Sequence, residues 1–139
     1  MSIYEQVLLA DHPDLATAYD NVGVDYFGQG EYKKALEYQT KALMIWEKVL
    51  SEDHPNLALS CNNIAWDYHE LRNLPLAAQY MRRAADIISR SSLPKTHPDR
   101  IDYIKWAGQF EAEAKMEQAI RAAMQNFGTT PPPFPFGKK

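Results

Sequence analysis

The sequence holds one cysteine, Cys61, among 139 residues. A lone thiol forms no internal disulfide, so the fold must rest on its apolar core, and this usage fits a reducing compartment. Lys and Arg are missing from the first thirty residues, and the net charge is −3. That balance lacks the clustered basic face a nucleic-acid binder needs. Long apolar runs are missing as well. Stretches such as Ala42-Leu43-Met44-Ile45-Trp46 fall far short of the ~20 residues of a membrane span. The start, Met1-Ser2-Ile3-Tyr4-Glu5, has neither the basic region nor the apolar stretch of a signal peptide. No Asn-x-Ser/Thr site occurs. The expected address is the cytoplasm, with neither nucleic acid nor membrane as a partner.

Chemistry-bearing patterns are equally scarce. No Gly-rich phosphate loop is present. No short-spaced His/Cys cluster suggests a metal. His69 adjoins Glu70, as an acid–base pair would need, but sequence neighbours on a helix do not face each other. Cys61 falls between Ala58 and the Ile64-Ala65 pair, where a small buried hydrophobe is expected. No catalytic residue, metal or cofactor is expected.

What the sequence does hold is a repeat. His-Pro occurs at 12–13, 54–55 and 97–98, at spacings of 42 and 43 residues. The stretch "IYEQVLLADHP" from residue 3 returns as "IWEKVLSEDHP" from residue 45, with seven of eleven positions identical. A fixed period in this range outranks local propensity as a fold signal. In overlay, Val22, Gly23 and Tyr26 match Ile64, Ala65 and Tyr68, and Ala35, Tyr38 and Ala42 match Ala77, Tyr80 and Ala84. Each unit reads as two helices. Pro13, Pro55 and Pro98 suit a first helical turn, where a missing N–H costs nothing. His12, His54 and His97 are expected at the helix starts. Gln29-Gly30 and Asn73-Leu74-Pro75 break each unit in the middle. Small residues at Gly23/Ala65 and Ala35/Ala77 let two helices approach, with Tyr26 and Tyr68 expected to fill the space beside them.

These residues resemble the tetratricopeptide repeat, whose pattern runs W-x2-L-G-x2-Y and then A-x3-F. Here the first part reads Tyr19-x2-Val22-Gly23-x2-Tyr26 and Cys61-x2-Ile64-Ala65-x2-Tyr68. The long period and the "DHPxLA" joints resemble the kinesin-light-chain variant. Gln39 departs from the pattern at the usual aromatic, and Met81 fills the equivalent place. The resemblance implies an all-α, right-handed superhelical solenoid of antiparallel helix pairs. Its parts are a stub helix at 2–10, repeats at 12–53 and 54–96, a degenerate capping helix or hairpin at 97–127, and a Pro-rich extended tail at 128–139. The stub looks like the last turns of a second helix, either the cut end of a longer array or its N-terminal cap.

In the third unit Ile104, Ala107 and Gly108 fit the core pattern, while Glu111 replaces the core tyrosine. Residues 109–126 are dense in strong helix formers, which favours one continuous helix; the resemblance favours a hairpin near Glu113–Lys115. A continuous helix would carry Phe110, Ala114, Ile120, Met124 and Phe127 along one stripe. Such a stripe needs cover, which implies self-association. The tail, with Pro131-Pro132-Pro133-Phe134-Pro135-Phe136, should be extended chain, acting as a linker or docking its phenylalanines on a groove.

What remains for function is a surface. First helices of stacked pairs line a concave face able to hold a peptide. With Tyr26 and Tyr68 inward, the groove is expected to present Thr17, Asp20, Asn21, Val24 and Phe27, then Leu59, Asn62, Asn63, Trp66, His69 and Glu70, then Asp102, Lys105, Trp106 and Gln109. Side-chain amides carry donors and an acceptor and can hold a peptide backbone whatever its sequence. Family resemblance gives that role to Asn21 and Asn63; local bonding within the helices is the alternative. Trp66 and Trp106 are either apolar anchors or inter-repeat packing, and Tyr4 and Trp46 are expected to be structural. Kinesin light chains take tryptophan-acidic peptides on basic groove residues. This groove offers mainly Lys105 against Asp20, Glu70 and Asp102, so a neutral or mildly basic peptide with apolar anchors is expected. The function expected is non-catalytic binding of a protein or peptide partner. The alternative is a spacer or self-association unit, joined through the final helix or the repeat ends.

Overall fold

The computed structural model describes residues 12–127. The expected stub at 2–10 and the tail at 128–139 lie outside the described residues. Five helices follow one another: α1 (Pro13–Gly28), α2 (Tyr32–Val49), α3 (Pro55–Glu70), α4 (Leu74–Arg90) and α5 (Pro98–Phe127). Among the described residues there is no strand. α1 packs on α2 and α3 on α4 as helical hairpins; α3 also packs on α2, and α5 on α4.

The three His-Pro helix starts are chemically specified. His12 Nδ1 accepts the backbone N–H of Asp14 at 3.0 Å, and His54 Nδ1 that of Asn56 at 3.0 Å. His97 Nδ1 does the same for Asp99 at 3.2 Å. The three histidines are therefore N-caps, satisfying N–H groups that the first turn leaves without partners. The turns within the pairs are built alike. Gly30 has φ 79° and Arg72, 42 positions later, has φ 65°. Both left-handed residues let the next N–H reach back to a tyrosine carbonyl: Glu31 to Tyr26 at 2.9 Å and Asn73 to Tyr68 at 2.9 Å. Arg72 holds this conformation with a Cβ that glycine lacks.

Small residues set the helix spacing. Ala16, Ala35, Ala42, Ala58, Ala65, Ala77, Ala84 and Ala107 are fully buried, so backbones meet with only a methyl group between them. Leu43, Ile45, Trp46, Ile64, Met81 and Ile88 fill the rest of the core. The repeat tyrosines are half-buried and stack across each pair, Tyr26 on Tyr38 at 5.7 Å and Tyr68 on Tyr80 at 5.6 Å. In the first pair the approach is closest at Gly23, where an added Cβ would lie 2.4 Å from Gln39 Cγ.

Three core assignments need correction at the ends of the stack. Val22, aligned with Ile64, is 37% exposed, whereas Ile64 is buried. α3, which carries Ile64, packs on α2 of the preceding pair, while among the described residues no pair precedes α1. In the third unit, Ala107 is buried as expected, but Ile104 is 45% exposed and Gly108 is open. The buried stripe is Tyr103, Ala107, Phe110 and Ala114. These match Ser60, Ile64, Asp67 and Leu71 at the 43-residue offset, whereas Ile104 and Gly108 match Cys61 and Ala65, which pack within a pair. α5 runs unbroken for 30 residues, so no second helix turns back to cover them. Glu111, standing where a tyrosine was expected, is bound instead by Arg82 through two hydrogen bonds of 2.8 Å. That contact holds the Glu111 carboxyl below its ordinary pKa.

Alanine at position 23 would gain about 1 kcal/mol of helix propensity but must displace Gln39 Cγ, and overpacking costs about 1–3 kcal/mol. Gly23→Ala is therefore expected to lower the unfolding free energy by about 1 kcal/mol in urea titrations. In a Gln39→Ala background the same change should stabilise. Equal effects in both backgrounds would contradict the packing account.

Candidate functional site

α1 and α3 meet side by side, and the space between them is a cavity of about 460 Å³ lined by Val24, Phe27, Gln39, Asn63, Trp66 and Glu70. Five of these six belong to the expected groove. Val24 is 52% exposed and presents an apolar surface to solvent. Asn21 is exposed and Asn62 and Asn63 are half-buried. Thr17, Leu59, Glu70, Asp102, Lys105 and Gln109 are exposed.

The remaining groove candidates are tied into the structure. Trp46 Nε1 donates to Asp20 Oδ2 at 2.8 Å, which links α1 to α2. Burial pushes the Asp20 pKa up, and the Trp46 hydrogen bond opposes the rise. Trp66 and Trp106 meet edge-to-face at 5.0 Å, and Phe110 meets Trp66 at 5.0 Å. His69 stacks on Phe110 at 4.5 Å, and its Nε2 lies 2.9 Å from Glu113 Oε1. Lys105 Nζ is 5.7 Å from the centre of the Trp106 ring. The two tryptophans therefore join α3 to α5, and Trp66 also walls the cavity. Aromatic pairs of this geometry add about 0.5–1.5 kcal/mol beyond area burial.

Charge is segregated by helix. α1 carries Asp14, Asp20 and Asp25, and α3 carries Asp67 and Glu70, with no Lys or Arg on either. Apart from Arg72 in the turn after α3, the basic residues of the two pairs lie on the second helices: Lys33, Lys34, Lys41 and Lys48 on α2, and Arg82, Arg83 and Arg90 on α4. Arg83 Nη2 reaches Glu47 Oε2 of α2 at 2.5 Å, tying the second helices together.

Three polar groups, two of them buried, lie outside the expected site residues. Gln39 is 1% exposed, and its Oε1 has no hydrogen-bond partner; its departure from the aromatic pattern was visible, its place at the cavity was not. Asp67 is fully buried with neither oxygen bonded, and burial pushes its pKa up to about 8. Nothing in the local sequence separates it from solvent-facing Asp25, its equivalent. Glu113 meets His69 only because α5 passes it, 44 residues further along the chain. Cys61 is buried as expected, and burial pushes its thiol up to about 11. Among the described residues no group of three His, Cys, Asp or Glu side chains is placed to hold a metal ion. No described helix is long and apolar enough to cross a membrane.

Paired helices stacked in register, with a cleft between successive first helices, define a helical-repeat scaffold of the kind that generally mediates protein interactions. The chain belongs to the tetratricopeptide repeat family, whose profile it matches over residues 1–43 and 14–90. Its fold is similar to that of a Podosopora anserina protein described as a kinesin light chain with nearly identical TPR-like repeats. The two are 20% identical with a TM-score of 0.74, over 88% of this chain and 58% of that one. It is also similar to BtubC (BKLC) from P. vanneervenii, at 21% identity and TM-score 0.60 over 94% and 55% of the two chains. The N-terminal domain of stress-induced protein-1 from C. elegans is similar at 17% identity and TM-score 0.56, over 71% and 69%. This chain thus spans little more than half the length of the first of these neighbours. No curated protein matches it.

The raised Asp67 pKa sets a pH dependence. Its ordinary value is 3.8, so between about pH 4 and pH 8 the unfolded chain releases a proton that the folded chain keeps. Stability from this group is then lost as pH rises through that window. Asp67→Asn should leave stability unchanged near pH 4 and raise it by more than ~1 kcal/mol at pH 8. Thermal unfolding across pH checks this; a variant that destabilises at pH 8 would contradict it.

Proposed function

We propose that this chain is a non-catalytic, cytoplasmic interaction module that binds an extended peptide along the face formed by α1, α3 and the start of α5. The observation that carries the proposal is the cleft between the first helices, where an apolar wall of Val24, Phe27 and Trp66 stands beside the Asn63 amide. Apolar lining with a few convergent polar groups is the usual composition of a binding site. Asn21 and Asn63, 42 positions apart on successive first helices, would hold the peptide backbone at repeating intervals. Their amides supply both donor and acceptor. The acidic character of α1 and α3 favours a neutral or basic peptide over an acidic one.

Peptides enriched from a random display library on the full chain test this reading. They should bind the Asn21→Ala/Asn63→Ala variant at least about tenfold more weakly than the wild type, with unchanged thermal unfolding. Equal binding to both would contradict groove recognition.

A second reading is self-association. It is favoured by Ile101 and Ile104, 53% and 45% exposed on α5, because unpaired apolar faces seek cover. It expects a mass that rises with concentration in light scattering and returns to monomer on Ile101→Glu/Ile104→Glu. A monomer at all concentrations overturns it.

A further inference from the structure

The cleft between α1 and α3 is unusual in what it leaves unsatisfied. Gln39 comes from α2, behind the first helices, yet it lines the cavity because Gly23 has no side chain to cover it. Gln39 is 1% exposed and its Oε1 accepts no hydrogen bond. Most buried polar atoms find a partner, and one that does not is an acceptor in want of a donor. The equivalent residue in the second pair is Met81, fully buried and without that demand. The polar floor is thus particular to this cleft.

The remaining walls add two requirements. Phe27 and Trp66 offer aromatic surface, and Val24 apolar surface. Trp66 is held by Trp106 and Phe110, so it is a fixed wall. Glu70 stands at the rim as the one charged residue of the lining, and α1 and α3 carry no Lys or Arg to offset it. An occupant must have an apolar or planar body, at least one N–H donor at depth, and positive charge.

From this combination we infer that the cleft is an anchoring pocket for an arginine side chain of the bound peptide. The methylene stem lies against Val24, and the planar guanidinium stacks on aromatic surface as a cation. One of its five N–H donors satisfies Gln39 Oε1, and the others face Glu70 and water. An aspartate or glutamate would face the Glu70 carboxylate and supply no donor. A leucine would fill space but leave the Gln39 oxygen unpaired. The inference rests on the peptide-binding reading above and names which side chain this cleft selects.

The test is an NMR titration of the ¹⁵N-labelled full chain with three capped amino acids: N-acetyl-arginine, N-acetyl-leucine and N-acetyl-glutamate methylamides. The arginine probe should shift the Trp66 indole N–H and the Gln39 side-chain amide, and bind about fivefold or more tighter than the leucine probe. The glutamate probe should not bind. Gln39→Met, which installs the residue of the second pair, should abolish the preference for arginine while the thermal transition is retained. Glu70→Gln, an exposed change, should weaken the arginine probe alone. If leucine or glutamate binds the cleft as well as arginine does, the arginine pocket is overturned while peptide binding in the groove stands. If no probe shifts Trp66 or Gln39, the pocket is overturned too, and the display selection separately decides the groove.

Discussion

The distance between paired helix backbones governs everything else in this molecule. It is set by alanine. Ala16, Ala35, Ala42, Ala58, Ala65, Ala77 and Ala84 are fully buried, and any larger residue there would push the helices apart. Close approach brings Tyr26 onto Tyr38 and Tyr68 onto Tyr80. It also fixes how each pair leans on the next, and hence how far α1 stands from α3. The cleft exists because these two first helices touch only lightly while α2 packs against both of them. Gly23 carries the same constraint to its limit. Without a Cβ there, Gln39 enters the space between helices and reaches the cleft.

Much of this was legible because repetition averages out local ambiguity. The His-Pro starts, the mid-unit breaks and the alanine positions recur at a common offset, and each recurrence has one physical cause. The third unit was harder to read for a reason the structure makes plain. Within a repeat, a first helix buries two faces: one against its own partner, one against the preceding pair. α5 has only the second neighbour among the described residues. Its buried stripe is therefore Tyr103, Ala107, Phe110 and Ala114, while Ile104 and Gly108, which match the partner-facing positions, stay open. The same logic leaves Val22 exposed on α1, where the opposite neighbour is wanting among the described residues.

The groove was legible in outline and not in detail. Helical spacing was enough to bring Val24, Phe27, Asn63, Trp66 and Glu70 to one cleft. It could not show that Asp20 is taken up by Trp46 of α2, or that His69 is taken up by Glu113 of α5. Those contacts cross 26 and 44 residues, and no local pattern encodes them. Gln39 and Asp67 illustrate a further limit. Both are polar residues buried without full hydrogen bonding, against the propensity of their residue types. One lines the cleft; the other is a carboxyl whose pKa burial pushes up to about 8.

The account turns on which face of the solenoid a partner occupies. Acidic first helices and basic second helices give the two faces opposite character, so the answer is sharply measurable. The decisive measurement is hydrogen–deuterium exchange of the full chain with and without a peptide enriched on it. Added protection over residues 17–27 and 59–70, with α2 and α4 unchanged, is the predicted result. Protection confined to α2 and α4 would contradict the account.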